Sequence, residues 1–88
     1  MRLFSPVPQA EKTRDEVLTS IKLTYDLSSR EMDVLNLLVD GATNTEIGGK
    51  LFISENTVKF HVSNLLKKTG VKSRKELATK FLEQLTGK

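Results

Sequence analysis

TEIGGKLFISENTVKFHVSN, residues 45–64, holds two short helical patterns separated only by Phe52, Ile53 and Ser54. Ile47 and Leu51 repeat at helical spacing before the break, and Val58, Val62 and Leu65 repeat at it afterwards. Ser54 is a suitable N-cap for the second helix, although no Glu follows three residues later to complete a capping box. Two helices joined by so few residues must cross steeply, with Ile53 filling the corner. That is helix-turn-helix geometry. By itself a short-turn helix pair is a weak signal, because many helical bundles contain one.

Helix punctuation continues on both sides. Capping boxes, in which a Ser or Thr is followed three residues later by Glu, occur at Thr13/Glu16, Ser28/Glu31, Thr43/Glu46 and Ser73/Glu76. Gly41 and Gly70 are positioned to stop helices in the left-handed conformation. Five helices are predicted, over about 14–24, 29–40, 44–51, 55–69 and 74–86. Their apolar stripes are Val17, Leu18 and Ile21; Val34, Leu35 and Leu38; Ile47 and Leu51; Val58, Val62 and Leu65; and Leu77, Ala78, Phe81 and Leu85. No segment alternates as a strand would. The first dozen residues, with Ser5, Pro6 and Pro8, read as a disordered or linking tail.

The 88 residues make at most one domain, burying roughly 60% of the surface of the unfolded chain. There is no cysteine, which excludes disulfides and cysteine-ligated metals and suits a reducing cytoplasm. No apolar run approaches the roughly 18 residues of a membrane span, and MRLFSPVPQ lacks the apolar region of a secretory signal. A cytoplasmic chain without membrane contact is expected.

Charge is unevenly spread. Between Thr45 and Lys75 there are seven basic residues (Lys50, Lys59, Lys67, Lys68, Lys72, Arg74 and Lys75) and two acids, Glu46 and Glu55, a net +5 within a chain of net +3. The remainder is therefore slightly acidic. Such a patch suits a polyanion, whose condensed counterions are released on binding, although a solvated face that keeps a small protein soluble has the same composition.

The stretch LSSREMDVLNLLVDGATNTEIGGKLFISENTVKFHVSNLLKKTGVKSRKEL, from Leu27 to Leu77, resembles the C-terminal DNA-binding domain of the LuxR/GerE family. That family shows L-T-x-R-E, a glycine-like turn, S/T-N-x-E-I-A, L-x-I-S-x-x-T-V-K-x-H, a basic end and a V-x-x-R step. The corresponding residues are Leu27 to Glu31, Gly41, Thr43 to Ile47, Leu51 to Ser54, Thr57 to Lys59, His61, and Val71 to Arg74. The departures are Gly48 in place of the usual alanine, followed by Gly49; Thr69 in place of leucine; and Ser28 in place of threonine. A Gly-Gly pair inside a helix costs about 1 kcal/mol per residue against alanine, so the third helix should be locally soft or closely approached by another backbone. Thr69 should leave the end of the fourth helix less well anchored.

The resemblance implies an all-α fold, a four-helix LuxR/GerE-type helix-turn-helix domain with an additional N-terminal helix. Residues 1–24 would be tail and extra helix or linker, and 25–88 the DNA-binding domain, with the motif at 45–64. It implies sequence-specific binding of double-stranded DNA by a bacterial transcriptional regulator, with helix 55–69 in the major groove. At 100° per residue, Val58, Val62, Leu65 and Thr69 share one arc. Asn56, Thr57, Lys59, Phe60, Ser63, Asn64 and Lys67 lie on the other. The family's base-facing positions fall on Lys59, Phe60 and Ser63. Lysine donates to guanine O6 and N7, and an aromatic ring packs on a thymine methyl. The flanking or phosphate set is Asn44, Thr45, Asn56, Thr57, His61, Asn64, Lys67, Lys68, Lys72 and Arg74, with the free amides at the start of the third helix.

Family members pair through the last helix, which makes Ala78, Leu82 and Leu85 candidates for a weak homodimer. RNA polymerase is a second candidate partner. No cofactor or metal is expected, since His61 is the sole histidine. Nor is catalysis, because there is no phosphate loop, nucleophile–base pair or metal cluster. The competing readings are structural. Lys67 and Lys68 could simply be solvated, Phe60 could fold back onto the core edge, and a degenerate helix-turn-helix could serve as a protein-interaction module. Both a stand-alone regulator and the C-terminal piece of a larger one fit.

Overall fold

The computed structural model describes residues 13–86. Among them there are five helices and no strand: α1 (Arg14–Tyr25), α2 (Ser29–Val39), α3 (Asn44–Leu51), α4 (Glu55–Thr69) and α5 (Arg74–Thr86). Every predicted bound holds to within one residue. The tail expected over the first dozen residues lies outside the described part.

The caps set these bounds. The hydroxyls of Thr13, Ser28 and Thr43 each accept the amide three residues on at 3.1 Å. Glu16, Glu31 and Glu46 accept the cap amides in return at 3.0, 2.9 and 2.8 Å. At α5 the box is offset: Ser73 accepts the Glu76 amide, but the Glu76 carboxylate accepts the amide of Lys72 rather than that of Ser73. Gly41 and Gly70 have positive φ, +93° and +77°, as their stop positions predicted. Asp26 and Phe52 do the same work for α1 and α3, at φ 56° and 60°. A Cβ-bearing residue there costs roughly 1–2 kcal/mol. At Phe52 the conformation is held because its amide and that of Ile53 both donate to the Gly48 carbonyl.

The helices enclose one core. Phe81, Leu35, Ile47, Leu65, Leu77, Val34 and Val58 are its largest fully buried side chains. α4 packs on α2 and α3, and α5 closes over α1, α2 and α4. α1 belongs to this core: Ile21 is buried, Val17 and Leu18 pack beside it, and Tyr25 meets Phe81 edge-on with ring centroids 5.6 Å apart. At its other end Arg14 donates to the Asn36 side chain at 2.7 Å and pairs with Asp40 at 3.1 Å.

Two features fix α4. The first is Gly48. A Cβ on this residue would stand 2.7 Å from the Ile53 carbonyl oxygen, so the close-approach explanation of the glycine is the correct one. Gly49 has open space around the same position. The second is a polar latch at the far end of α4. Lys68 donates to buried Glu31 at 2.8 Å and to the Asp26 carbonyl at 3.1 Å, tying α4 to the α1–α2 corner. Burial pushes the Glu31 carboxyl up, but the Lys68 ammonium and the amide and hydroxyl of Ser28 hold it below its ordinary value of 4.5. Thr69 is half-buried and its hydroxyl donates to the Leu65 carbonyl at 2.7 Å.

The two glycines should respond in opposite directions to alanine. Gly49→Ala gains helix propensity and should stabilise by up to about 1 kcal/mol. At Gly48 the same gain is outweighed by a backbone clash that only a shift of the turn relieves, so Gly48→Ala should destabilise by about 1–3 kcal/mol. Denaturant melts of both variants check this, and equal stabilisation would refute the close approach.

The latch predicts a pH signature. A carboxyl with a lowered folded-state pKa contributes stability that is present above its ordinary value and lost as pH falls through the lowered one. Lys68→Met should therefore cost about 1–3 kcal/mol at neutral pH, as for a buried acceptor deprived of a partner. The difference from the parent should shrink once both are acidified below the carboxylate range. Melts across that range provide the check.

Candidate nucleic-acid interface

α4 buries one face and displays the other. Val58 and Leu65 are fully enclosed and Val62 nearly so. The burial follows from apolar residues at three- and four-residue spacing, and it fixes the rotation of the helix about its axis. The opposite face carries Asn56, Lys59, Phe60, Ser63 and Lys67, all exposed. Phe60 is 62% exposed, so it does not fold back onto the core. Its ring packs edge-on against the half-buried His61. Among the described residues no side-chain hydrogen bond or ion pair engages Lys59, Ser63 or Lys67, which leaves their polar ends available to a ligand.

The start of α4 is ordered by Ser54, whose hydroxyl accepts the Thr57 amide at 3.1 Å and lies 2.9 Å from the Thr57 hydroxyl. Thr57 and Asn64 are half-buried on the flanks of the exposed face. His61 has its Nδ1 buried without a hydrogen-bond partner. No group of three or more His, Cys, Asp or Glu among the described residues is arranged to hold a metal.

Several of the flanking residues have internal partners. Lys68 is committed to Glu31 and the Asp26 carbonyl. Arg74 donates to the Asn44 side chain and to the Ala42 carbonyl, joining the start of α5 to the start of α3. Thr45 donates its hydroxyl to Glu55 at 2.6 Å. Lys72 is exposed, with only its backbone amide engaged. The structure thus brings Lys59, Phe60, Ser63, Asn56 and Lys67 onto one open face, and it uses Lys68 and Arg74 to hold helices together. Of the candidates on α5, Leu85 is a core residue at 6% exposure, Ala78 is half-buried and Leu82 is exposed. Leu85 is therefore not a surface contact, which corrects the expectation that it could pair two chains.

Two exposed residues at this site carried no assigned role in the sequence. Glu55 was visible only as an acid in a basic segment, and its partner lies ten residues away across the turn. Phe52 is 93% exposed at the turn itself. Ile53 packs against the core, as its corner position predicts, which leaves Phe52 outward.

Comparison with known proteins places this arrangement. The family model described as bacterial regulatory proteins, luxR family, matches residues 25–81. The spore germination protein GerE of Bacillus subtilis is 46% identical over 56 residues, which is 64% of this chain and 76% of that protein. The CsgBAC operon transcriptional regulatory protein of Escherichia coli is 58% identical over 48 residues, 54% of this chain and 22% of that protein. The nitrate/nitrite response regulator protein NarP of Escherichia coli is 48% identical over 58 residues, 66% of this chain and 27% of that protein. The aligned parts span only 22% to 28% of the lengths of most of these regulators. No solved structure matches the chain. With its helix-turn-helix and the match over most of its length, the chain belongs to the luxR family of bacterial regulatory proteins.

Proposed function

We propose that α4 lies in the major groove of double-stranded DNA, with Lys59, Phe60 and Ser63 toward base edges. Sequence-specific DNA binding by a transcriptional regulator is the function that family membership supports. The observation that carries the placement is the amphipathic burial of α4, which leaves an exposed face with one aromatic ring, on which the side chains of Lys59, Ser63 and Lys67 make no hydrogen bond or ion pair among the described residues. A protein-interaction module would have no use for that face, and the family match does not favour it.

Lys59 is suited to guanine O6 and N7, and the Phe60 ring to a thymine methyl. Asn56 and Lys67 on this face, Thr57 and Asn64 on its flanks, and His61 and Lys72 are the proposed phosphate and flanking contacts, together with the amides at the start of α3. Asn44, Thr45, Lys68 and Arg74 would first have to share or give up their internal bonds. Their main contribution is therefore to hold the reading helix in place. No helix among the described residues is long and apolar enough to cross a membrane, and we place the regulator in the cytoplasm with the DNA it would bind. RNA polymerase remains a proposed partner of the regulator as a whole.

The reading is tested by anisotropy with selected and unselected duplexes at several salt concentrations. Log affinity should fall linearly with log salt. Replacing Lys67 or Lys72 should weaken all sequences alike and reduce the slope by about 1. Phe60→Ala should leave stability within about 0.5 kcal/mol and cost about 1–3 kcal/mol of discrimination at one base pair. A flat salt response would refute DNA binding. A large loss of stability with unchanged base preference would refute the role of Phe60.

A weak homodimer through α5 is the proposed assembly, and exposed Leu82 beside half-buried Ala78 supports it. Sedimentation should show a largely monomeric free chain and two chains per two-half-site duplex. Leu82→Glu should remove the cooperativity between the two half-sites without weakening binding to a single half-site. One chain per two-half-site duplex for the parent would overturn the assembly.

A further inference from the structure

This inference rests on the major-groove placement of α4 and concerns the acid at its tip. Glu55 is the first residue of α4 and the only acid on that helix. Its Oε2 accepts the hydroxyl of Thr45, near the start of α3, at 2.6 Å, and both residues are exposed. Glu46, the other acid nearby, is engaged in the Thr43 cap. A single carboxylate is therefore held between the two helix N-termini that the proposed function turns toward DNA.

Such a carboxylate is unfavourable beside phosphates. A solvated glutamate would swing away from them, but the short bond to Thr45 restrains this one at the interface. The base-edge groups in the major groove that it could accept from are amino groups. Cytosine presents N4 as a donor there, whereas adenine sets the N7 acceptor beside its N6 amino group, and that acceptor repels a carboxylate. Lys59 lies four residues on, on the same face of the helix, and Glu55 bonds Thr45 rather than pairing with it. The tip of α4 thus presents an acceptor and then a donor, one turn apart.

We propose that Glu55 is a specificity residue that accepts from a cytosine amino group beside the base pair read by Lys59, with Thr45 as its positioning residue. On a matching duplex the carboxylate gains a charge-assisted bond. On any other it is left unpaired among phosphates, so it discriminates by repulsion as well as by attraction. Thr45 accordingly acts on base choice through Glu55 and not as a phosphate ligand.

The test is in vitro selection from a randomised duplex library with the full 88-residue chain and its Glu55→Ala, Glu55→Gln, Thr45→Val and Lys59→Ala variants. Anisotropy on the unselected pool and thermal melts accompany it. The parent should enrich cytosine at a position next to the one that Lys59→Ala alters. Glu55→Ala should flatten that position alone. Glu55→Gln should shift it toward adenine, whose N6 and N7 an amide can bond. Both Glu55 variants should bind the unselected pool about three- to tenfold more tightly, up to the scale of one 1.4 kcal/mol step. Thr45→Val should flatten the same position with its melt intact. An unchanged motif in both Glu55 variants, with pool affinity unchanged or lower, overturns the proposal. A parent that enriches no motif overturns the DNA-reading function itself, whereas a motif altered by Lys59→Ala but not by the Glu55 variants refutes only the role of Glu55.

Discussion

The burial of Val58, Val62 and Leu65 against α2 and α3 is the contact on which the rest of this molecule depends. A helix of fifteen residues is marginal alone in water, and its rotation about its own axis is undefined until one face is removed from solvent. Burying these three side chains stabilises the helix and also selects which residues face outward. Lys59, Phe60, Ser63 and Lys67 are presented because of where the valines and the leucine go. The exposed face of α4, proposed above to meet DNA, is therefore a consequence of core packing, and a change in the core would rotate it.

That contact requires α3 and α4 to approach closely. Gly48 removes the Cβ that would meet the Ile53 carbonyl, and the Gly48 carbonyl gathers two amides of the turn. Phe52 adopts a left-handed backbone at the same point. The turn therefore carries a local conformational cost that the α3–α4 packing offsets. The far end of α4 is held by Lys68 on Glu31 and the Asp26 carbonyl. α4 is thus fixed at its start by backbone proximity and at its end by a part-buried ion pair.

Electrostatics divides the basic residues into two populations. Lys68 pairs its charge with Glu31, and Arg74 bonds the neutral Asn44 side chain and the Ala42 carbonyl, where partial burial makes each bond stronger than on the open surface. Lys59 and Lys67 have no such partner among the described residues, and the Lys72 side chain likewise has none. Net charge by segment treats these groups alike. Phosphate neutralisation does not, because an ammonium already bonded to a carboxylate releases fewer counterions.

The sequence by itself determined the five helices and their bounds. That information is local: capping boxes at Thr13, Ser28 and Thr43 and glycines at 41 and 70 act within a few residues of themselves. It also determined the outward arc of α4, since helical periodicity fixes which side chains oppose Val58 and Val62. Tertiary structure decided what depends on contacts across long separations. Glu31 with Lys68, Asn44 with Arg74, and Thr45 with Glu55 are 37, 30 and 10 residues apart. Neither periodicity nor capping chemistry specifies such pairs. Leu85 follows the periodicity, since it shares the stripe of Leu77 and Phe81 and is buried with them; its place among the pairing candidates came from the family resemblance and not from the stripe. Only the packed fold sets which polar groups meet, and so which cations are left without an internal partner and which acid stands at the tip of α4.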